Sequence, residues 1–237
     1  NTKNESSIEL MDCMVKLGQT YLSWEESALA RVGQTYEHVQ AGKYDLSMKC
    51  FNTILPTQIK ELGMDNANVA NTYYMMGRSC SMVGKDDEAM EHLRKSLKIR
   101  LKVLGEGHVD VGNLYTGIGL VYSKQAKHDE ALECVNKALA IRINKLGKDH
   151  LDVAQSYNNI ANVYESQNKY DEALEYYNNG LEIRINELGK DHPDVELSYN
   201  NIGIVYDKQN KYDKALEYYN KALDIRINKL NKDHPDD

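Results

Sequence analysis

Leu146-Gly147-Lys148-Asp149-His150-Leu151-Asp152-Val153 returns 42 residues later as Leu188-Gly189-Lys190-Asp191-His192-Pro193-Asp194-Val195. Tyr157-Asn158-Asn159-Ile160 returns as Tyr199-Asn200-Asn201-Ile202, and Ala173-Leu174-Glu175-Tyr176-Tyr177 as Ala215-Leu216-Glu217-Tyr218-Tyr219. Residues 143–184 and 185–226 agree at 30 of 42 positions. A fixed period of this size marks a repeat array, in which each unit buries its apolar face against its neighbours. Aligned on one small residue per unit, the copies fall at Gly33, Gly77, Gly119, Ala161 and Gly203, spaced 44, 42, 42 and 42. The upstream copies have diverged.

Within the last unit Tyr199, Ile202, Gly203 and Tyr206 step by three and four, as do Ala215, Tyr219, Ala222, Leu223 and Ile227. Each set is a single apolar stripe on a helix. Gln209-Asn210-Lys211-Tyr212-Asp213 reads as the turn between them, with Asp213 as a cap. Gly189 is placed to end the preceding helix with a left-handed residue. Asp191-His192-Pro193-Asp194 reads as a helix start, with a capping Asp and Pro in the first turn. Each unit is thus an antiparallel hairpin: helix A over about 193–209 and helix B over about 212–230 in the last copy. The expected divisions are an N-terminal capping helix at 1–23, bearing Ile8, Met11, Val15, Leu17 and Tyr21, then units at 24–66, 67–108, 109–150, 151–192 and 193–234. Residues 235–237 would begin a further unit, so the chain reads as a piece of something longer. The apolar side of helix B at 212–230 is uncapped, which points to self-association there.

Of the 237 residues 41% are hydrophobic, with 3 Pro and 15 Gly, so linkers and low-complexity stretches are lacking. No apolar run approaches the length of a membrane span. The net charge of −7 argues against general nucleic-acid binding, which needs a basic face. Cys13, Cys50, Cys80 and Cys134 form no Cys-x-x-Cys pair and read as reduced thiols of a cytoplasmic protein.

The pattern resembles the tetratricopeptide repeat. That family places a large apolar or aromatic residue, Leu-Gly and Tyr on helix A, and Ala, an aromatic and Ala on helix B. Here these are Tyr199, Ile202-Gly203, Tyr206, Ala215, Tyr219 and Ala222. The fourth unit has Tyr157, Ile160-Ala161, Tyr164, Ala173, Tyr177 and then Gly180. The third has Tyr115, Ile118-Gly119, Tyr122, Ala131, Val135 and Ala138. The second has Tyr73, Met76-Gly77, Cys80, Ala89, Leu93 and Ser96. The first has Leu29, Val32-Gly33 and Tyr36, and needs two extra residues before Ser47, Phe51 and Ile54 come into phase. The period exceeds the family's usual length of about 34, and with Leu-Gly-Lys-Asp-His-Pro-Asp-Val it is most similar to the repeats of kinesin light chains and their relatives. The resemblance implies an all-α, right-handed α-solenoid of tandem hairpins.

It also implies a protein–protein interaction scaffold whose A helices line a concave groove for a partner peptide or helix. The inward positions are Arg31 and Gln34 in the first unit, Asn71, Tyr74 and Arg78 in the second, and Asn113, Thr116 and Lys124 in the third. In the fourth they are Gln155, Asn158, Asn159, Asn162 and Glu165, and in the fifth Leu197, Asn200, Asn201, Ile204, Asp207 and Lys208. Asn side chains offer donors and an acceptor to a peptide backbone irrespective of its sequence. The plainer alternative is that they are solvated or bond to the next helix.

His108, His150, His192 and His234 recur once per unit. Copies one hairpin apart cannot share a metal with bonds of roughly 2.0–2.1 Å, so they read as helix-start residues. Arg100, Arg142, Arg184 and Arg226 recur near the end of each helix B and read as cations at helix ends or partners of acids in the adjacent unit. Asp86-Asp87-Glu88 and Asp129-Glu130 read as capping acids. No phosphate-binding loop, metal-spaced Cys/His set or nucleophile–base arrangement is evident, so the expectation is no catalysis, no metal and no cofactor. The partner is a protein of unknown identity, not nucleic acid or membrane. The alternatives are that the array is the regulatory or sensor arm of a larger enzyme, such as a protease or nucleotide-driven signalling protein, or a self-assembling scaffold.

Overall fold

The computed structural model describes residues 36–233. The expected N-terminal helix, the first copy's Leu29, Arg31, Val32-Gly33 and Gln34, and the terminal 234–237 lie outside them. The described residues form helices α1 (Tyr36–Leu62), α2 (Ala67–Met82), α3 (Asp86–Leu104), α4 (Val109–Lys124), α5 (His128–Leu146), α6 (Leu151–Ser166), α7 (Tyr170–Leu188), α8 (Pro193–Lys208) and α9 (Tyr212–Asp233). Among them there is no strand, and no helix is long and apolar enough to cross a membrane. The chain divides into two compact units, Asn1–Glu106 and Gly107–Asp237.

In the first unit α1 packs on α2 and α2 on α3, around Phe51, Val69, Tyr73, Met76 and Ile99. In the second, α4/α5, α6/α7 and α8/α9 are hairpins, and α5/α6 and α7/α8 are the joints between them. The core there includes Ala161, Ala173, Tyr177, Val195, Ile202 and Val205, all at most 1% exposed. The small residues let paired helices approach. A Cβ at Gly203 would sit 2.6 Å from the Tyr219 ring, and one at Gly119 would sit 2.8 Å from Val135.

The A helices begin on a side chain other than the expected acid. His108, His150 and His192 are the N-caps, each accepting through Nδ1 from the amide two residues on, at 3.1, 3.0 and 3.1 Å. His108, His150 and His192 are therefore helix-start residues, and Asp191 lies outside the helix. An imidazole nitrogen can do what a capping Asp oxygen does, because the orphan N–H needs only an acceptor. The hairpin turn is also built differently. Asp213 lies inside α9, and the B helices have no side-chain cap at Lys85, Lys127 or Lys169. The turn is instead made by a residue with positive φ: Gly84 at 76°, Ala126 at 57°, Asn168 and Asn210 both at 58°. The next amide then donates back five residues, as from Lys127 to the Tyr122 carbonyl at 2.9 Å, which satisfies the end of helix A. Helices α3, α5 and α7 end on Gly105, Gly147 and Gly189 with positive φ, but ψ at Gly189 is 157°, extended rather than left-handed helical.

Candidate functional site

The recurring arginines decide which polar groups remain available to a partner. Arg142 is 6% exposed. Its Nη1 donates to Ser156 Oγ at 2.6 Å on the following helix A, and its Nη2 donates to Asn113 Oδ1 at 2.9 Å on its own. Arg184 repeats this, donating to Ser198 Oγ at 2.7 Å and Gln155 Oε1 at 3.2 Å. The Asn158 amide, turned with its oxygen toward this guanidinium, accepts at 2.7 and 3.1 Å. Burial pulls the Arg184 pKa below its ordinary value, and Asp194 opposes this.

The same rungs occur in the first unit. Arg100 donates to Asn71 Oδ1 at 3.4 Å. At the corresponding place on α1, buried Gln58 accepts from Thr72 Oγ1 at 2.7 Å. The expected partners were helix-end dipoles or acids of the next unit. The partners of the buried arginines include amides, hydroxyls and, for Arg142, the Asp152 carbonyl at 3.3 Å, which supply a buried cation with several acceptors. Arg226 departs from the series: it is exposed and pairs with Glu196.

These rungs occupy several of the expected inward residues. Asn71, Asn113, Gln155 and Asn158 accept from arginines, and Asn158 and Asn159 are only 6% and 5% exposed, which differs from their expected place on the open face. Gln155 also donates to Asn159 at 3.3 Å. Asn162, though exposed, accepts from the hydroxyl of buried Tyr177. Tyr177 Oη also lies 2.8 Å from Glu165 Oε2, so its one proton serves either acceptor, and Glu165 accepts from Lys208 Nζ at 2.6 Å. Burial first, then Glu165, pushes the Tyr177 pKa well up. Thr116 donates to the Gly112 carbonyl at 3.2 Å. The guanidinia of Arg78 and Arg100 lie 5.9 and 5.2 Å from the centroid of the Tyr74 ring, within the range of cation–π attraction.

The second unit also exposes apolar side chains on the A helices. Leu197 is 53% and Ile204 40% exposed on α8, and Leu120 is 42% exposed on α4. Asn200 and Asn201 are half-buried beside them, and Lys124 and Lys208 are exposed at the helix ends. On α8, Leu197, Asn200, Asn201, Ile204 and Lys208 step by three and four, so they form one face. Leu120 continues the spacing of Asn113, Thr116 and Lys124 on α4. The sequence reading omitted it, although its place in the period equals that of Asn162 and Ile204. Among the described residues no group of His, Cys, Asp and Glu could hold a metal ion.

The sequence profile of the tetratricopeptide repeat matches residues 25–102, 110–186 and, overlapping, 152–228. No curated protein matches in sequence. Among solved structures, the kinesin-light-chain-like protein of Podosopora anserina with nearly identical TPR-like repeats is 18% identical over 92% of this chain and 96% of its own, with a TM-score of 0.71. BtubC (BKLC) from P. vanneervenii is 21% identical over 95% and 92%, with a TM-score of 0.72. MamA is 18% identical over 84% and 99%, with a TM-score of 0.54. At these identities the likeness is one of fold. With the profile covering most of its length, the chain belongs to the tetratricopeptide-repeat family, with long repeats of the kinesin-light-chain-like kind.

Proposed function

We propose that the chain is a non-catalytic interaction module. In the second unit it holds a partner peptide or helix against the open face of its A helices. The repeat architecture typically mediates protein–protein contacts. The observation that carries the reading is the exposure of Leu120, Leu197 and Ile204 on helix faces the core does not use. Scattered exposed aliphatics need no explanation, but two on one face of α8, flanking half-buried amides and followed by a lysine, have the make-up of a peptide site: apolar anchors with a few polar groups for the backbone. The buried-arginine rungs support this division of labour. They hold Asn113, Gln155 and Asn158 in fixed positions, leaving Asn200, Asn201 and the aliphatics as the groups that meet the ligand. In the first unit Asn71, Tyr74 and Arg78 are the corresponding residues.

A captured partner segment titrated against wild type, Ile204→Asp, Asn200→Ala and Leu216→Glu tests this. Affinity should fall for the first two variants and hold for the third. Equal affinities for wild type and Ile204→Asp would remove the reading.

A further inference from the structure

We infer that the open face of the A helices in the second unit reads an extended segment of a partner protein with two large apolar side chains about six residues apart, an inference that rests on the reading of this face as the binding face. One row of the repeat carries it. Leu120, Asn162 and Ile204 stand 42 residues apart, so they hold the same place on α4, α6 and α8. All three are exposed, Leu120 by 42% and Ile204 by 40%. Helices α4 and α6 have further hairpins packed beyond them. The place is therefore open inside the array as well as in its last described hairpin. The row presents an aliphatic side chain, an amide and an aliphatic side chain in turn.

The helices that bear the row lie side by side. Helix α4 packs on α6, and Lys208 Nζ of α8 reaches Glu165 Oε1 of α6 at 2.6 Å. Neighbouring helix axes stand about 8–10 Å apart, so two steps carry the row from Leu120 to Ile204 over about 20 Å. An extended chain advances about 3.3 Å per residue, and about six residues cover that span. A helix advances about 1.5 Å per residue and needs about thirteen.

The amides beside the anchors favour the extended form. Asn200 and Asn201 are half-buried one turn before Ile204 on the same face. Asn162 Oδ1 lies on the Tyr177 hydroxyl, so its Nδ2 is the part of the amide left for a partner carbonyl. An extended backbone carries an unpaired N–H and C=O at each residue, whereas a helix has spent them on itself except at its ends. Amides at these places serve the first and have little to bond in the second. At the anchors, a charged partner side chain would lose water and gain no counter-charge from Leu120 or Ile204, so the two reading positions call for aliphatic or aromatic residues.

Random sixteen-residue peptides displayed on phage, panned on the immobilised full chain, supply the probes. Selected peptides are then synthesised and titrated by fluorescence polarisation. Enrichment of sequences with two large apolar residues five to seven apart is expected. Their affinity should fall at least about tenfold with Leu120→Asp as well as with Ile204→Asp, and hold with Leu216→Glu; circular dichroism checks that each variant stays folded. Moving one apolar residue of the peptide to a separation of three should cost as much. Binding that is lost with Ile204→Asp but indifferent to Leu120→Asp would overturn the row while leaving the open face as the binding site. Selected peptides that turn helical on the protein, with apolar residues three, four or thirteen apart, would overturn the extended form. No enrichment on the wild type over Ile204→Asp would remove both the row and the binding face beneath it.

Discussion

Arg184 and Arg226 hold the same place in successive repeats, and their replacement by methionine should have different costs. Methionine keeps much of the aliphatic stem and removes the guanidinium. At position 184 the Asn158 oxygen, on a residue 6% exposed, loses its donor. A buried acceptor left unpaired costs about 1–3 kcal/mol. The Ser198 hydroxyl still donates to the Asp194 carbonyl at 2.8 Å, so only the bond it accepts is lost, at about 1 kcal/mol. Part of this is offset because the variant no longer keeps a cation out of water. The net cost is about 2 kcal/mol. At position 226 the guanidinium pairs with Glu196 while its side chain is 59% exposed, and exposed pairs contribute about 0–1 kcal/mol. Urea unfolding followed by far-ultraviolet circular dichroism compares the two variants, with the denaturant slope checked for constancy. Arg184→Met should lower the midpoint clearly and Arg226→Met barely. Equal shifts, or a larger one for Arg226→Met, would refute the idea that buried rungs hold the joints together.

Ala126 adopts a φ of 57° where other hairpins have Gly or Asn. Ala126→Gly should therefore raise stability by roughly 0.5–1 kcal/mol in the same unfolding assay. His150→Ala removes the acceptor for the Asp152 amide and should cost about 1 kcal/mol, while His150→Asn, which restores an acceptor, should cost little; hydrogen exchange at the first turn of α6 reports both. Burial pushes the Cys134 thiol up to about 11, so at neutral pH it is protonated and slow to react. Iodoacetamide labelling read by mass spectrometry should be slower at Cys134 than for glutathione, and should accelerate as pH rises toward that value.

The hairpins were legible because their signals are periodic and local. Ile202, Gly203 and Tyr206 sit three or four residues apart, and the turn between helices repeats in kind even where its residues change. The caps were misread because Asp and His stand side by side at Asp149-His150 and Asp191-His192, and only the backbone geometry shows that the imidazole is the acceptor. The arginine rungs left a trace that the reading did not use. Thr72, Ser156 and Ser198 fall on apolar stripes at the repeat period, each fourteen residues after Gln58, Arg142 or Arg184. A hydroxyl at a core position needs a partner, and that requirement points to the rung. Asn158 and Asn159 were placed on the open face by the family's pattern and the alignment of the copies, which do not register that Arg184 of the neighbouring helix reaches the Asn158 amide.

The functional claim turns on the exposed aliphatic positions of α8 and α4, Ile204 and Leu120. A photoreactive phenylalanine analogue placed at 204, at 120 or at exposed Glu187 of α7, in the full chain with cellular protein present, probes it directly. Covalent adducts with a common partner are predicted from 204 and 120 and not from 187. Adducts of equal yield from 187, or none from 204, would contradict the account.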